Sequence, residues 1–137
     1  MPAEDEVRAV AEQFYAALNG VLNGDAGPMA NVWSQGADVT TMHPIGGRQV
    51  GWDQVWGSWQ QVAGIASGGS VALRDRLVRV VGDAAYELGT EHVDATLTGN
   101  PVRREVRVTN IYRREAGAWR IVHHHADAAP EMQGGGG

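Results

Sequence analysis

The chain of 137 residues contains no cysteine, no lysine and only one phenylalanine, and it has no long apolar run. Without cysteine it can form no disulfide and has no thiol nucleophile. No stretch approaches the roughly 18 to 20 apolar residues that cross a membrane. The acidic residues 1–5 are not followed by the apolar segment of a secretory signal. We therefore expect a cytoplasmic protein.

Positive charge is also scarce. Eleven basic residues, all arginine, stand against 16 acidic ones, and the formal net charge of −5 argues against nucleic acid as a partner. Most arginines fall between Arg74 and Arg120, where they form either a solvated outer sheet face or an anion site. The length suits one domain, which we place at residues 1–127. A flexible Gly-rich tail is predicted at 128–137, either native or added in cloning.

Two stretches have apolar residues at helical spacing. Residues 4–22 and 52–66 each predict an amphipathic helix, because their apolar side chains recur every three or four positions. Between them, Pro28 begins a third, short helix. Residues 37–42 predict a short strand that ends before Pro44 and a Gly-Gly turn.

After Ser70 the apolar period changes from 3.6 to 2, which is typical of strands. Hairpin-type turn signals separate four predicted long strands, at 71–81, 84–97, 102–114 and 119–126. We therefore expect an α+β domain in which helices cover the concave face of one curved, mostly antiparallel sheet. The short first strand is expected beside the last strands or at an edge.

Three strings carry a family resemblance in order and spacing across residues 5–127. They lie in the first helix (14–19), at the first strand and its turn (37–44, then Gly46, Gly47 and Gly51), and in the last strand (119–127). In these strings the chain resembles the SnoaL-like branch of the nuclear-transport-factor-2-like superfamily. The last string also resembles the end of the calcium/calmodulin-dependent kinase II association domain. The resemblance implies a cone-shaped half-barrel that opens at one end to a ligand, and it implies a homodimer.

The resemblance also implies where catalytic groups belong. Steroid isomerases of this superfamily place a tyrosine in the first helix, an aspartate before a proline and an aspartate on a late strand. These positions fall on Phe14, His43 and Asn110, and none keeps its catalytic residue type. A phenyl ring donates no hydrogen bond, so steroid isomerisation is not expected. His43 is either a base, since imidazole accepts protons near neutral pH, or a cap of the strand before Pro44.

Further polar candidates share strand faces. Asn110 and Tyr112 alternate to one face, which the register aims inward. There they either donate to an oxyanion or satisfy each other in the core. His123 and His125 are predicted to point into the cone as a pocket wall, although a one-residue slip would exchange the faces. A metal site that includes His43 is the alternative for these two histidines.

Other side chains predicted to contact the ligand are Tyr15, Trp56, Trp59, Tyr86 and His92. The two tryptophans either roof the cavity or only pack in the core. Tyr15 supplies a hydroxyl that Phe14 lacks. On the strand that carries Tyr86 and His92, Glu91 is predicted to point to the opposite face and is not counted as an acid.

The predicted function is that of a pocket protein that binds or converts a small, mostly apolar organic molecule. No cofactor and no metal are expected, and the chemistry would be proton transfer of the isomerase, cyclase or dehydratase type. A non-catalytic ligand-binding or oligomerisation module is the alternative. The homodimer is predicted to form over the outer sheet face, which we expect to carry Arg74, Arg79, Arg107 and Val93.

Overall fold

The computed structural model describes residues 2–128, which form two α-helices, one short 3-10 helix and six strands. In chain order these are α1 (Ala3–Val21), the 3-10 helix (Gly27–Asn31), β1 (Thr40–His43), β2 (Gly46–Val50), α2 (Trp52–Ile65), β3 (Ala66–Val81), β4 (Ala84–Leu97), β5 (Asn100–Glu115) and β6 (Ala118–Ala128). The predicted tail lies outside the described residues from position 129 onward. Within residues 2–128, no helix combines the length and apolar character needed to cross a membrane.

The six strands form one curved, open sheet in the order β2-β1-β6-β5-β4-β3. Only β1 and β6 pair in parallel, and the other neighbours are antiparallel. The α+β class is thereby confirmed, and β1 lies beside the last strand as expected. The helix predicted at Pro28 is a single 3-10 segment.

Strand β2 is absent from the sequence prediction, which assigned its first two residues to a turn. The turn lies two residues earlier, at Pro44 and Ile45, because His43 already pairs with Gly46. Gly46 and Gly47 have φ values of 110° and 83°. Residues with side chains rarely adopt this conformation, so the glycine pair lets the hairpin close without strain.

An aromatic cluster between the helices and the inner sheet face forms the centre of the core. Phe14 of α1 packs edge-on against Trp59 of α2, with ring centroids 6.0 Å apart, and against Trp33 at 6.5 Å. All three side chains are buried. Aromatic side chains of this size contribute about 2 to 3 kcal/mol each through buried apolar area, so this cluster fixes both helices on the sheet.

A bulge in β6 decides which histidine faces inward. Ile111 pairs with His123 while the next residue, Tyr112, pairs with Ile121, so β6 carries one extra residue at Val122. An extra residue shifts the alternation of side chains by one position. His124 is therefore buried and the histidines on either side of it are half-buried. The prediction that His123 and His125 point into the cone was wrong.

The faces of β4 were also predicted in reverse. Glu87 and Glu91 are buried, whereas Tyr86 and His92 lie on the other face, with Tyr86 40% exposed. The predicted face comes from the register of the family resemblance, and that register is one residue out of phase here. Val93, expected on the outer face, packs against the core instead.

A second bulge, in β3, brings a charged side chain inward. The pairing of β3 with β4 shifts between Arg74 and Leu77, and Asp75 within that step has a positive φ of 56°. Beyond the bulge the inward series continues at Arg76 and Val78 instead of at the odd positions. Arg76 therefore extends toward the interior of the cone.

Candidate functional site

A cavity of about 320 Å³ lies between the helices and the inner sheet face. Its wall is mostly apolar, with side chains that include Leu18, Trp59, Val62, Val93, Leu97 and Val106. The ionisable residues on the wall are His43, Glu91, His124 and Arg104. A small, largely apolar cavity with a few convergent polar groups is the usual form of a small-molecule site.

His43 lies on the cavity wall, and its hydrogen bonds indicate which ring nitrogen carries the proton. Its Nε2 lies 2.9 Å from Ser58 Oγ, and the Ser58 hydroxyl donates its proton to the Val55 carbonyl at 2.7 Å. With the hydroxyl proton on the Val55 carbonyl, the shorter of the two contacts, Nε2 donates to Ser58 and Nδ1 carries the lone pair. Burial lowers the pKa of His43 from 6.5 to about 4. The ring is therefore neutral near neutral pH.

Behind the cavity, Glu87 anchors a buried polar network. Arg76 Nε lies 2.8 Å from Glu87 Oε2, although the pair is not aligned as a hydrogen bond, so the attraction is mainly Coulombic. Glu87 Oε1 accepts from the Tyr112 hydroxyl at 2.6 Å and from Asn110 Nδ2 at 3.0 Å. A buried carboxylate is stable as an ion only with partners of this kind. Glu87 is therefore the ionised member of the network.

The ionised Glu87 fixes the orientation of the neighbouring amide. A carboxylate only accepts hydrogen bonds, so Asn110 must present its nitrogen to Glu87. The same nitrogen donates to the Tyr15 hydroxyl at 2.9 Å, and Asn110 Oδ1 accepts from His124 Nδ1 at 2.7 Å. His124 therefore carries its proton on Nδ1 and its lone pair on Nε2. Burial, then the nearby His43, lowers the pKa of His124 well below 6.5.

Glu91 is the carboxyl group of the cavity wall. Tyr15, which accepts from Asn110, donates its own proton to Glu91 Oε2 at 2.8 Å. Burial raises the pKa of Glu91 from 4.5 to about 7; the hydrogen bond from Tyr15 opposes the rise and the charge of Glu87 adds to it. Burial and the charge of Glu91 raise the pKa of Tyr15, so its hydroxyl remains a donor. Glu91 can therefore exchange a proton near neutral pH.

The predicted site residues divide into four groups. His43 and Trp59 line the cavity, whereas Tyr15, Asn110 and Tyr112 are buried in the network behind it. Trp56 stacks on Trp52, with ring centroids 5.5 Å apart, and is not part of the cavity wall. The outer face carries the others, which were wrongly predicted to face the ligand: Tyr86, His92, His123 and His125.

The outer histidines have protein partners of their own. His123 Nδ1 lies 2.7 Å from Thr40 Oγ1, His125 contacts Asp127, and His92 lies 3.6 Å from Glu105. Within residues 2–128, no group of three His, Asp or Glu side chains is arranged to hold a metal ion. Some arginines of the sheet also pair with acids, as Arg103 does with Asp94 and Arg114 with Asp83.

Among the wall residues that the sequence prediction missed are two acid–base groups, Glu91 and His124. One signal for Glu91 was available: Glu87 and Glu91 share a strand face with Ala85, Val93 and Ala95, and that face is apolar apart from the two acids. The sequence around His124 gave no such signal, because the bulge in β6 decides the side of the sheet on which His124 lies.

Comparisons with known proteins agree with this fold. The family model of the SnoaL-like domain matches residues 7–129. A protein from Streptomyces avermitilis, described as a dehydratase of the nuclear-transport-factor-2-like family, is 26% identical with a TM-score of 0.82, over 93% of this chain and 96% of that one. No curated protein gives a significant match.

Two further solved structures extend the comparison. A Thiobacillus denitrificans protein, described as a calcium/calmodulin-dependent protein kinase type II association domain, is 31% identical with a TM-score of 0.67, over 89% of this chain and 94% of that one. A nuclear-transport-factor-2-like protein from Salmonella enterica is 19% identical with a TM-score of 0.77, over 96% and 99% of the two chains, and this likeness shows the fold alone. With a family model that spans nearly the whole sequence, the chain belongs to the SnoaL-like domain family.

Proposed function

We propose that this protein binds a small, mostly apolar organic molecule and converts it by cofactor-free proton transfer, with Glu91 as the group that takes and returns the proton. One observation carries the proposal: a carboxyl group in an apolar cavity whose pKa is raised to about 7. A catalytic acid or base works best when its pKa lies near the working pH. Reactions of the isomerase, cyclase or dehydratase type need such a group.

Glu91 fits this role better than His43, the residue favoured by the family resemblance. Both line the cavity, but the pKa of His43 is lowered to about 4, so its ring is a weak base. Asn110 and Tyr112 act indirectly in the proposal. Through Glu87 and Tyr15 they hold Glu91 and His124 in place, and neither belongs to the cavity wall.

The Kemp elimination of 5-nitrobenzisoxazole tests the proposal without knowledge of the natural substrate. A base removes the proton at C3, the N–O bond breaks, and the product is a coloured cyanophenolate. We expect the wild-type rate to rise with pH through about 7, because Glu91 must lose its proton to act as a base. Glu91→Gln should lower the rate by about a hundredfold or more, the usual scale for a lost general base.

Matched variants separate the contribution of Glu91 from the effect of any Glu-to-Gln change elsewhere in the protein. Glu12→Gln makes the same change on the exposed face of α1 and should leave the rate unchanged. His43→Gln should lower the rate less than Glu91→Gln does. Equal rates for Glu91→Gln and wild type would remove Glu91 from the mechanism, and a non-catalytic ligand-binding role would then be favoured.

A second role, as a homodimerising module, has support of its own. Leu77, Leu88, Tyr86 and Ile111 are each 36–40% exposed on the outer sheet face. Leu77 pairs with Leu88, and Tyr86 pairs with Ile111, so the four residues form a continuous apolar patch. Such a patch marks an interaction surface. The likeness to a kinase association domain also favours a second copy of this chain as the occupant.

A further inference from the structure

In the described part of the chain, the imidazoles of His43 and His124 each present an unpaired nitrogen lone pair to the cavity. Nδ1 of His43 and Nε2 of His124 both carry lone pairs, because the other nitrogen of each ring donates to Ser58 or to Asn110. Neither of these two lone-pair atoms has a hydrogen-bond partner within residues 2–128. The ring centroids are 6.2 Å apart, and both residues line the cavity.

The tautomers follow from the hydrogen-bond partners of the two rings. On one side, Ser58 has a single proton and gives it to the Val55 carbonyl. On the other side, Arg76 keeps Glu87 ionised, Glu87 orients the Asn110 amide, and the amide oxygen holds the proton of His124 on Nδ1. Reversing the His124 imidazole would leave its Nδ1 lone pair facing the Asn110 oxygen, which costs about 1 to 3 kcal/mol. Reversing the His43 imidazole would draw the Ser58 proton away from the Val55 carbonyl.

Neither ring gains a second proton near neutral pH, so both lone pairs remain available. Burial lowers the pKa of both histidines, so both rings stay neutral. The Tyr15 hydroxyl is already committed to Glu91. Glu91 accepts when ionised, and it supplies one donor only when protonated. Two donors on the wall lie apart from this pattern. Arg104 is exposed and stands six residues along β5 from Asn110, the partner of His124, and the indole Nε1 of Trp59, unpartnered within residues 2–128, is fully buried. The end of the cavity that holds the two imidazoles is therefore rich in acceptors and poor in donors.

We propose that the ligand of this cavity carries a hydroxyl group on an otherwise apolar body. The inference rests on the proposed function and deepens it by naming the substrate class, an apolar alcohol or phenol. A hydroxyl donates its proton to an imidazole lone pair, and its oxygen can accept from protonated Glu91. A carboxylate or a simple ether offers no donor, and a buried unpaired acceptor on the wall then costs affinity.

Three matched probes test the inference by calorimetry at pH 8, with the full chain. They are 2-naphthol, which has a donor, 2-methoxynaphthalene, which has only an acceptor, and 2-naphthoate, which is an anion. We expect 2-naphthol to bind about tenfold more tightly than the other two, the scale of one net hydrogen bond. Equal binding of all three, or tighter binding of the ether or the anion, would overturn the inference and leave the proposed function standing. Binding of none would overturn both.

A variant pair tests the tautomer argument itself. In Ser58→Ala the Nε2 proton of His43 loses its acceptor, so the opposite tautomer becomes accessible and places a donor on the cavity. The preference for 2-naphthol over the ether should fall severalfold. Ser34→Ala removes another buried hydroxyl, one that donates to Glu115 away from the cavity, and should keep the preference. An unchanged preference in Ser58→Ala, with circular dichroism showing a folded protein, would contradict the proposed role of Ser58.

Discussion

Replacing Glu91 by glutamine should stabilise the protein at high pH. The pKa of Glu91 is raised from 4.5 to about 7 in the folded state, so the folded protein holds a proton that the unfolded chain releases. Between pH 4.5 and 7 the free energy of unfolding therefore falls by about 1.4 kcal/mol per pH unit through this residue. The accumulated loss is about 3 kcal/mol by pH 8. Glutamine carries no charge and keeps an oxygen for Tyr15 to bind.

Urea unfolding at pH 4.5 and pH 8, followed by tryptophan fluorescence, measures this effect as a difference between wild type and variant. His43 and His124 titrate in the opposite sense over part of the same range, but both proteins contain them, so their contributions cancel. The stability of Glu91→Gln relative to wild type should rise by about 3 kcal/mol from pH 4.5 to pH 8. A difference that is the same at both pH values would refute the inferred environment of Glu91.

Three other outcomes are expected. The pKa of His43 is about 4 in the folded protein, so the free energy of unfolding that this residue contributes above pH 6.5 is lost as the pH falls toward 4. In urea titrations over this range, the free energy of unfolding of His43→Gln should fall by up to about 3 kcal/mol less than that of wild type. Chelator should leave the melting temperature unchanged; a drop of several degrees with one metal per chain would contradict this. Light scattering should give a dimer mass at micromolar concentration, with Leu88→Arg monomeric and Gln13→Arg, on exposed α1, still dimeric.

The sequence by itself determined the class and most elements of this fold. Apolar residues recur with a period of 3.6 in α1 and α2 and with a period of 2 after Ser70. Each period follows from the local sequence, because each element buries one side and exposes the other. Strand β4 begins and ends where the alternation and the flanking turn signals predicted, at Ala84 and Leu97. Burial of one face of each element against a common core is enough to select this layout.

The composition of the cavity wall was decided only by the tertiary structure. One extra residue at Val122 exchanges the faces of β6 and selects His124 over His123, and another bulge in β3 turns Arg76 inward. On β4, a buried acid is tolerated only because Arg76, Tyr112 and other donors reach it from neighbouring strands. Alternation within a strand is local, but its phase depends on pairing with neighbouring strands, and a single inserted residue reverses it.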